Sequence, residues 1–196
     1  MRIIGLTGGI GSGKTTVAER LRQKGAFIVD ADKVAREVVE PGQPALAELA
    51  EAFDGVITAE GVLDRAGLAR QAFATPEATQ QLNNITHPRI RERTDELFAT
   101  AREEGREVVV YDMPLLIENG ETETVDTVLV VDTPDETRVS RLVDSRGLDE
   151  DDARRRIAAQ IDRDTRLAAA DVVLDNSGDV EALIDQVDRF WEQVQA

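Results

Sequence analysis

Residues 5–16 read GLTGGIGSGKTT, and inside them Gly8-x-x-x-x-Gly13-Lys14-Thr15 has the spacing of a phosphate-binding loop. Each residue type meets a need of triphosphate chemistry. Gly8, Gly9, Gly11 and Gly13 let the backbone turn, so that successive N–H groups through Ser12, Lys14, Thr15 and Thr16 face phosphate oxygens. The helix expected to follow adds the positive end of its dipole. Lys14 is placed to bridge the β- and γ-phosphates, and the Thr15 hydroxyl to ligate Mg²⁺. An apolar run, Ile3–Leu6, precedes the loop and an amphipathic segment follows it, which separates it from a chance glycine turn.

Carboxylates recur at the ends of apolar runs. AFIVDADKVAR, residues 26–36, carries Asp30 and Asp32 just past its run. Asp32 is the expected catalytic base, and its competing role is the N-cap of a helix from Lys33 to Val39. Asp30 stays divided between strand end, support of the metal, and base. Asp112 ends VVVY in the style of a Walker B aspartate, and Asp132 ends VLVV in the same way and is its rival.

The positions of these residues depend on the elements between them. Five short β-branched runs read as buried strands: Arg2–Leu6, Ala26–Asp30, Val108–Asp112, Thr127–Asp132 and Asp171–Asp175. Helical periodicity separates them, at Lys14–Lys24, Pro134–Arg146 and Asp179–Val194. At Thr133-Pro134-Asp135-Glu136 the sequence predicts an N-cap, a proline at the first helical position and a capping-box glutamate. This alternation implies an α/β fold with a five-stranded parallel sheet covered on both faces, the three-layer fold of P-loop NTPases. Residues 31–106 break the alternation. They carry helical patterns at Asp32–Val39, Ala45–Phe53, Asp64–Phe73, Pro76–Ile85 and Arg89–Glu104, with a turn before Pro88. The expected organisation is a nucleotide-binding core of residues 1–30, 107–143 and 167–196, a helical acceptor-binding insertion at 31–106, and a helical lid at 144–166 with a helix over Asp149–Gln160.

Composition limits the alternatives. The 196 residues contain no cysteine and one histidine, which excludes disulfides, zinc–thiolate sites and multi-histidine metal sites. A formal net charge of −16 argues against general binding of nucleic acid. From Arg138 to Arg166, however, eight arginines face seven carboxylates, so the cationic groups are concentrated there. With no long apolar run, the sequence predicts a cytoplasmic protein that acts on small molecules without a membrane or an obligate protein partner. A guanine-reading Asn-Lys-x-Asp motif is absent, and Asp144-Ser-Arg-Gly147 has no apolar strand leading into it. The layout is that of a small-molecule kinase. Nucleoside monophosphate and shikimate-type kinases, and a nucleotide-gated binding module, stand as alternatives.

Taken in order, GLTGGIGSGKT, VDADKVAR (29–36), THPRIR (86–91), DMPLLIENG (112–120), RL-x3-RG (141–147), ARRRIAAQ (153–160) and ADVVLDNSG (170–178) resemble the successive motifs of the dephospho-CoA kinase family across nearly the whole chain. Asp162 and Arg166 stand where that family often has Pro and Lys. The resemblance implies transfer of the ATP γ-phosphoryl group to the ribose 3′-hydroxyl of dephospho-CoA, with Mg²⁺. It implies Lys14, Asp32 and Arg141 as catalytic residues; Asn176, in DNSG, stands between reading the adenine of ATP and a plain turn. It places Asp32, His87, Arg91 and Asp112 toward the acceptor, and Thr15 and Asp112 on the metal. His87 is evenly balanced between that role and a turn before Pro88. Arg146 and Arg155 are weaker lid residues, and Asp132 is left to begin a turn.

Overall fold

The computed structural model describes residues 1–195; Ala196, the last residue of the expected core, lies outside them. Strands β1 (Arg2–Gly8), β2 (Phe27–Asp30), β3 (Val108–Asp112), β4 (Thr127–Asp132) and β5 (Val172–Asp175) form one all-parallel sheet in the order β2-β3-β1-β4-β5. Every expected strand is present. β1 runs two residues further, to Gly8, while β2 and β5 each begin one residue later. All of β3 is buried, and covering of both sheet faces explains its unbroken apolar run. Leu6 pairs with Asp112 and Gly8 with Val131, so the end of β1 lies between the ends of β3 and β4. The chain leaving β1 runs toward β2, past β3, and the chain leaving β4 runs the opposite way to β5, so the crevice where ligands bind in such sheets opens between the ends of β1 and β4.

Helix α1 (Lys14–Lys24) starts directly after the loop and ends at Gly25 in the left-handed conformation, φ 109°. Its Val17, Ala18 and Leu21 pack with Ile4, Leu6, Val110, Leu129 and Val131 of the sheet. Leu183, Val187, Phe190 and Trp191 of the C-terminal helix, which begins at Val180, join the same cluster as the expected stripe. Asp188 on that helix accepts from Arg20 Nε at 2.8 Å and NH2 at 2.6 Å, fastening it to α1.

The chain divides into two compact units, Met1–Val29 with the segment from Ala101 on, and Asp30–Thr100. The second unit contains α2 (Ala31–Glu37), α3 (Pro44–Ala52), α4 (Arg65–Ala72) and most of α5 (Pro76–Glu103) around Val34, Leu46, Leu49, Phe53, Val56 and Leu68. Here the turn expected before Pro88 is absent: α5 is one 28-residue helix with Pro88 inside it. A proline forfeits one hydrogen bond and crowds one carbonyl, a cost confined to a single turn. Both flanks of that turn are anchored. Thr79 Oγ1 donates to Ala72 O at 2.8 Å before it, and Arg89 NH2 to Glu48 at 2.8 Å after it. A single antiparallel bridge, Ile57 with Leu63, is the small strand element in this unit that periodicity did not reveal.

In the first unit, α6 (Asp135–Arg146) and α7 (Glu150–Ala158) share a small core of Val139, Leu142 and Ala153. A short α8 (Arg163–Ala168) follows, and α9 (Val180–Gln195) closes the chain. Asp162 caps α8 by accepting from Thr165 N at 2.8 Å, a role proline could not fill. Arg166 is buried and donates to Ile161 O at 2.7 Å. Among the described residues no helix is long and apolar enough to cross a membrane.

Candidate active site

Residues 9–13 turn the chain from β1 into α1. Ser12 N donates to Gly9 O at 3.0 Å, and Gly11 (φ 79°) and Gly13 (φ 92°) adopt backbone angles that other residues reach only with strain. A side chain at Gly13 would also collide with the Asn176 amide. The N–H groups of Gly11, Gly13, Lys14 and Thr15 have no hydrogen-bond partner among the described residues. Together with the start of α1 they form a receptor for an anion.

The loop is held from its other side. Asn176, 6% exposed at the end of β5, donates from Nδ2 to Ser12 O at 2.7 Å. Thr133 Oγ1 lies 3.1 Å from the same carbonyl and 3.3 Å from Asn176 O. In a trans peptide C=O and N–H point opposite ways, so drawing Ser12 O outward turns Gly13 N–H toward the ligand side. The expected N-cap at Thr133 is therefore not formed. Pro134 is the N-cap of α6 and makes no side-chain cap bond, because the Thr133 hydroxyl serves the loop. Glu136 does not complete a capping box either; it pairs with Arg154 at 2.8 Å. The Ser12 hydroxyl is buried without a hydrogen-bond partner among the described residues.

The two rival aspartates part company. Asp112, at the end of β3, pairs with Lys14 Nζ, both side chains being largely shielded. Asp132, at the end of β4, accepts Nε and NH2 of Arg163 at 2.9 and 2.6 Å. The Arg163 hydrogen bonds hold its carboxyl below the usual range, against the opposing effect of burial. Asp132 is thus an anchor for α8, more than the start of a turn. Arg141 NH2 donates to Asn176 O at 3.0 Å, beside Gly13. Arg146 is exposed in the last turn of α6, and Arg155 pairs with Asp152 at 3.2 Å on the surface.

Within the second unit, Asp30 is the N-cap of α2, its carboxylate accepting Lys33 N at 3.0 Å. That settles the cap, and Asp32 lies in the first turn of α2, exposed and with no partner among the described residues. His87 is helical rather than in a turn. It and Arg91 stand one turn apart on α5, both exposed. A cleft of about 710 Å³ lies in the same unit, with Lys33, Arg36, Arg89 and Arg93 among its lining residues.

Sequence reasoning missed the loop's supports, Thr133, Arg138 and Gln160. Arg138 is 3% exposed and its guanidinium lies against Gly9. Burial pushes its pKa down, with the Asp135 carboxylate opposing the shift. Its only sequence signal was a charged residue beside Val139 on the buried side of an amphipathic helix.

A phosphate loop at the carboxyl end of β1, in a parallel sheet of this strand order, defines a P-loop kinase fold. The family model described as dephospho-CoA kinase (CoaE) matches residues 2–182. A dephospho-CoA kinase of Corynebacterium jeikeium (strain K411) is 74% identical over 191 residues, 97% of this chain and 98% of that protein. The crystal structure of TT1252 from Thermus thermophilus matches with a TM-score of 0.86 at 33% identity, covering 98% of this chain and 97% of that one. Dephospho-CoA kinase from Campylobacter jejuni matches with a TM-score of 0.69 at 25% identity and the same coverage. The chain belongs to the dephospho-CoA kinase family.

Proposed function

We propose that Lys14, Arg141 and Asp32 carry the chemistry of this chain. The protein phosphorylates dephospho-CoA with ATP, the final step of coenzyme A synthesis. The observation that supports the residue roles best is the phosphate loop itself, with its N–H groups unclaimed and Lys14 at its end. The 3′-hydroxyl oxygen of the acceptor attacks the γ-phosphorus, the bond to the β–γ bridging oxygen breaks, and ADP leaves. Asp32 accepts the hydroxyl proton; it has no partner among the described residues to compete for it. Lys14 exchanges Asp112 for the β- and γ-phosphates, and Arg141 contributes a planar cation beside Gly13.

Gly8, Gly9, Gly11, Ser12, Gly13, Lys14, Thr15, Thr16 and Asn176 form the ATP site, Asn176 by shaping the loop through Ser12 O. Asp32, His87, Arg91 and Asp112 receive the acceptor, with Arg91 meeting its pyrophosphate. Thr15 and Asp112 offer hard oxygen donors, which suit Mg²⁺ held jointly by protein and phosphates. When bound, the cation neutralises charge on the phosphoryl group being transferred. Residues 1–30, 107–143 and 167–196 serve the nucleotide, 31–106 the acceptor, and 144–166 act as the lid. The protein works in the cytoplasm on two small molecules, with no nucleic acid, membrane or obligate protein partner.

The test is ADP release by the full chain with dephospho-CoA, AMP, CMP or shikimate as acceptor. Only dephospho-CoA should stimulate it, and Lys14→Ala should lose most of the turnover. Equal stimulation by another acceptor, or none by dephospho-CoA, would overturn the assignment.

A further inference from the structure

Ile10 is at the tip of the phosphate loop, and both of its backbone polar groups are taken by side chains from distant segments. Its N–H donates to Gln160 Oε1 at 2.8 Å, and its carbonyl accepts from Arg138 Nε at 2.9 Å. The two side chains also bind each other. Arg138 NH2 donates to the same Gln160 oxygen at 2.6 Å, and NH1 to Asp135 at 2.9 Å. Arg138 is thus held at three points and packs against Gly9, where any side chain would collide with its guanidinium.

These bonds decide which loop donors face the ligand. In the peptide joining Ile10 to Gly11, drawing C=O toward Arg138 turns Gly11 N–H the opposite way, and that N–H has no partner among the described residues. In the peptide joining Gly9 to Ile10, drawing N–H toward Gln160 turns Gly9 C=O the other way, where it accepts Ser12 N. Gly11 N–H is offered and Ile10 N–H is withheld.

We infer that Arg138 and Gln160 are positioning residues for phosphoryl transfer, holding Ile10 so that Gly11 N–H is aimed at the phosphates of ATP. Gln160 lies just past α7, 150 residues from Ile10 in sequence, so the end of that helix takes part in shaping the loop. The inference rests on the assignment of residues 8–16 to ATP.

Gln160→Leu keeps bulk and removes the acceptor; Arg138→Lys keeps charge and removes the fork that reaches three partners. In each, the KM for ATP rises about tenfold, as expected from the loss of one or two hydrogen bonds. The KM for dephospho-CoA stays within roughly twofold. The amide resonances of Ile10 and Gly11 shift in the nucleotide-free protein, and ATP titration reports the same weakening without turnover. Arg138 is buried, so its variant is compared only where thermal unfolding shows a folded chain; Gln160 is partly exposed and carries the test otherwise. An unchanged KM for ATP in Gln160→Leu overturns the inference. So does a lower one, which would mean that Gln160 competes with phosphate for Ile10 N–H, or a wild-type KM in folded Arg138→Lys. Failure of the wild type to phosphorylate dephospho-CoA, assayed in parallel, would instead refute the acceptor assignment and leave the ATP titration as the test of this pair.

Discussion

Removing Thr133 and Asn176 together should cost more than the sum of removing each. Both donate to the carbonyl of Ser12, a residue 2% exposed, at 3.1 and 2.7 Å. Thr133 has one hydroxyl proton and a second acceptor, Asn176 O, at 3.3 Å, so it serves Ser12 only in part. Asn176→Ala removes the shorter bond, but the Thr133 proton can then turn fully to Ser12 O. That single change costs about 1–2 kcal/mol, and the near-isosteric Thr133→Val about 0.5–1.5. In the double variant the buried carbonyl has no donor, and its desolvation, about 1–3 kcal/mol, appears only there. The expected coupling is about 1–2 kcal/mol beyond additivity. Urea unfolding followed by Trp191 fluorescence measures it, because this is the one tryptophan and it packs in the core cluster with the sheet and α1. Additivity within about 0.4 kcal/mol would refute the shared-acceptor account.

Asp32→Asn should lower kcat by about 10²–10⁴-fold, with the KM for ATP nearly unchanged. Because Asp32 has no partner among the described residues, thermal stability should not move, and a wild-type kcat would remove it as the base. Asp188 makes a second prediction. The Arg20 hydrogen bonds, with help from Lys24, lower its pKa to about 2, below the ordinary aspartate value of ~3.9. A depressed carboxyl stabilises the fold above its unfolded pKa, and that contribution fades as pH falls toward the folded value. The difference in urea midpoint between wild type and Asp188→Asn should therefore narrow below about pH 4 and be lost as pH falls through about 2. A difference that stays constant across that range would contradict the linkage.

Local chemistry made much of this protein readable from its sequence. The strands showed themselves because burial on both sheet faces demands unbroken apolar runs, and the loop because only glycines at that spacing let N–H groups converge. Family motifs supplied the acceptor. Short-range rules misled where a distant group competed. Thr133 looks like a helix cap, yet the carbonyl of Ser12, 121 positions away, takes its hydroxyl. Asp32 was the one read as a competing cap, but the backbone places Lys33 N on Asp30. Pro88 reads as a break, but contacts on both sides carry the helix through it. Nothing in the sequence tied Arg138 or Gln160 to the loop, since nothing local brings residues 138 and 160 to residue 10. Strand order brings β4 and its following helix beside β1, and only that neighbourhood turns an arginine and a glutamine into supports for a phosphate loop.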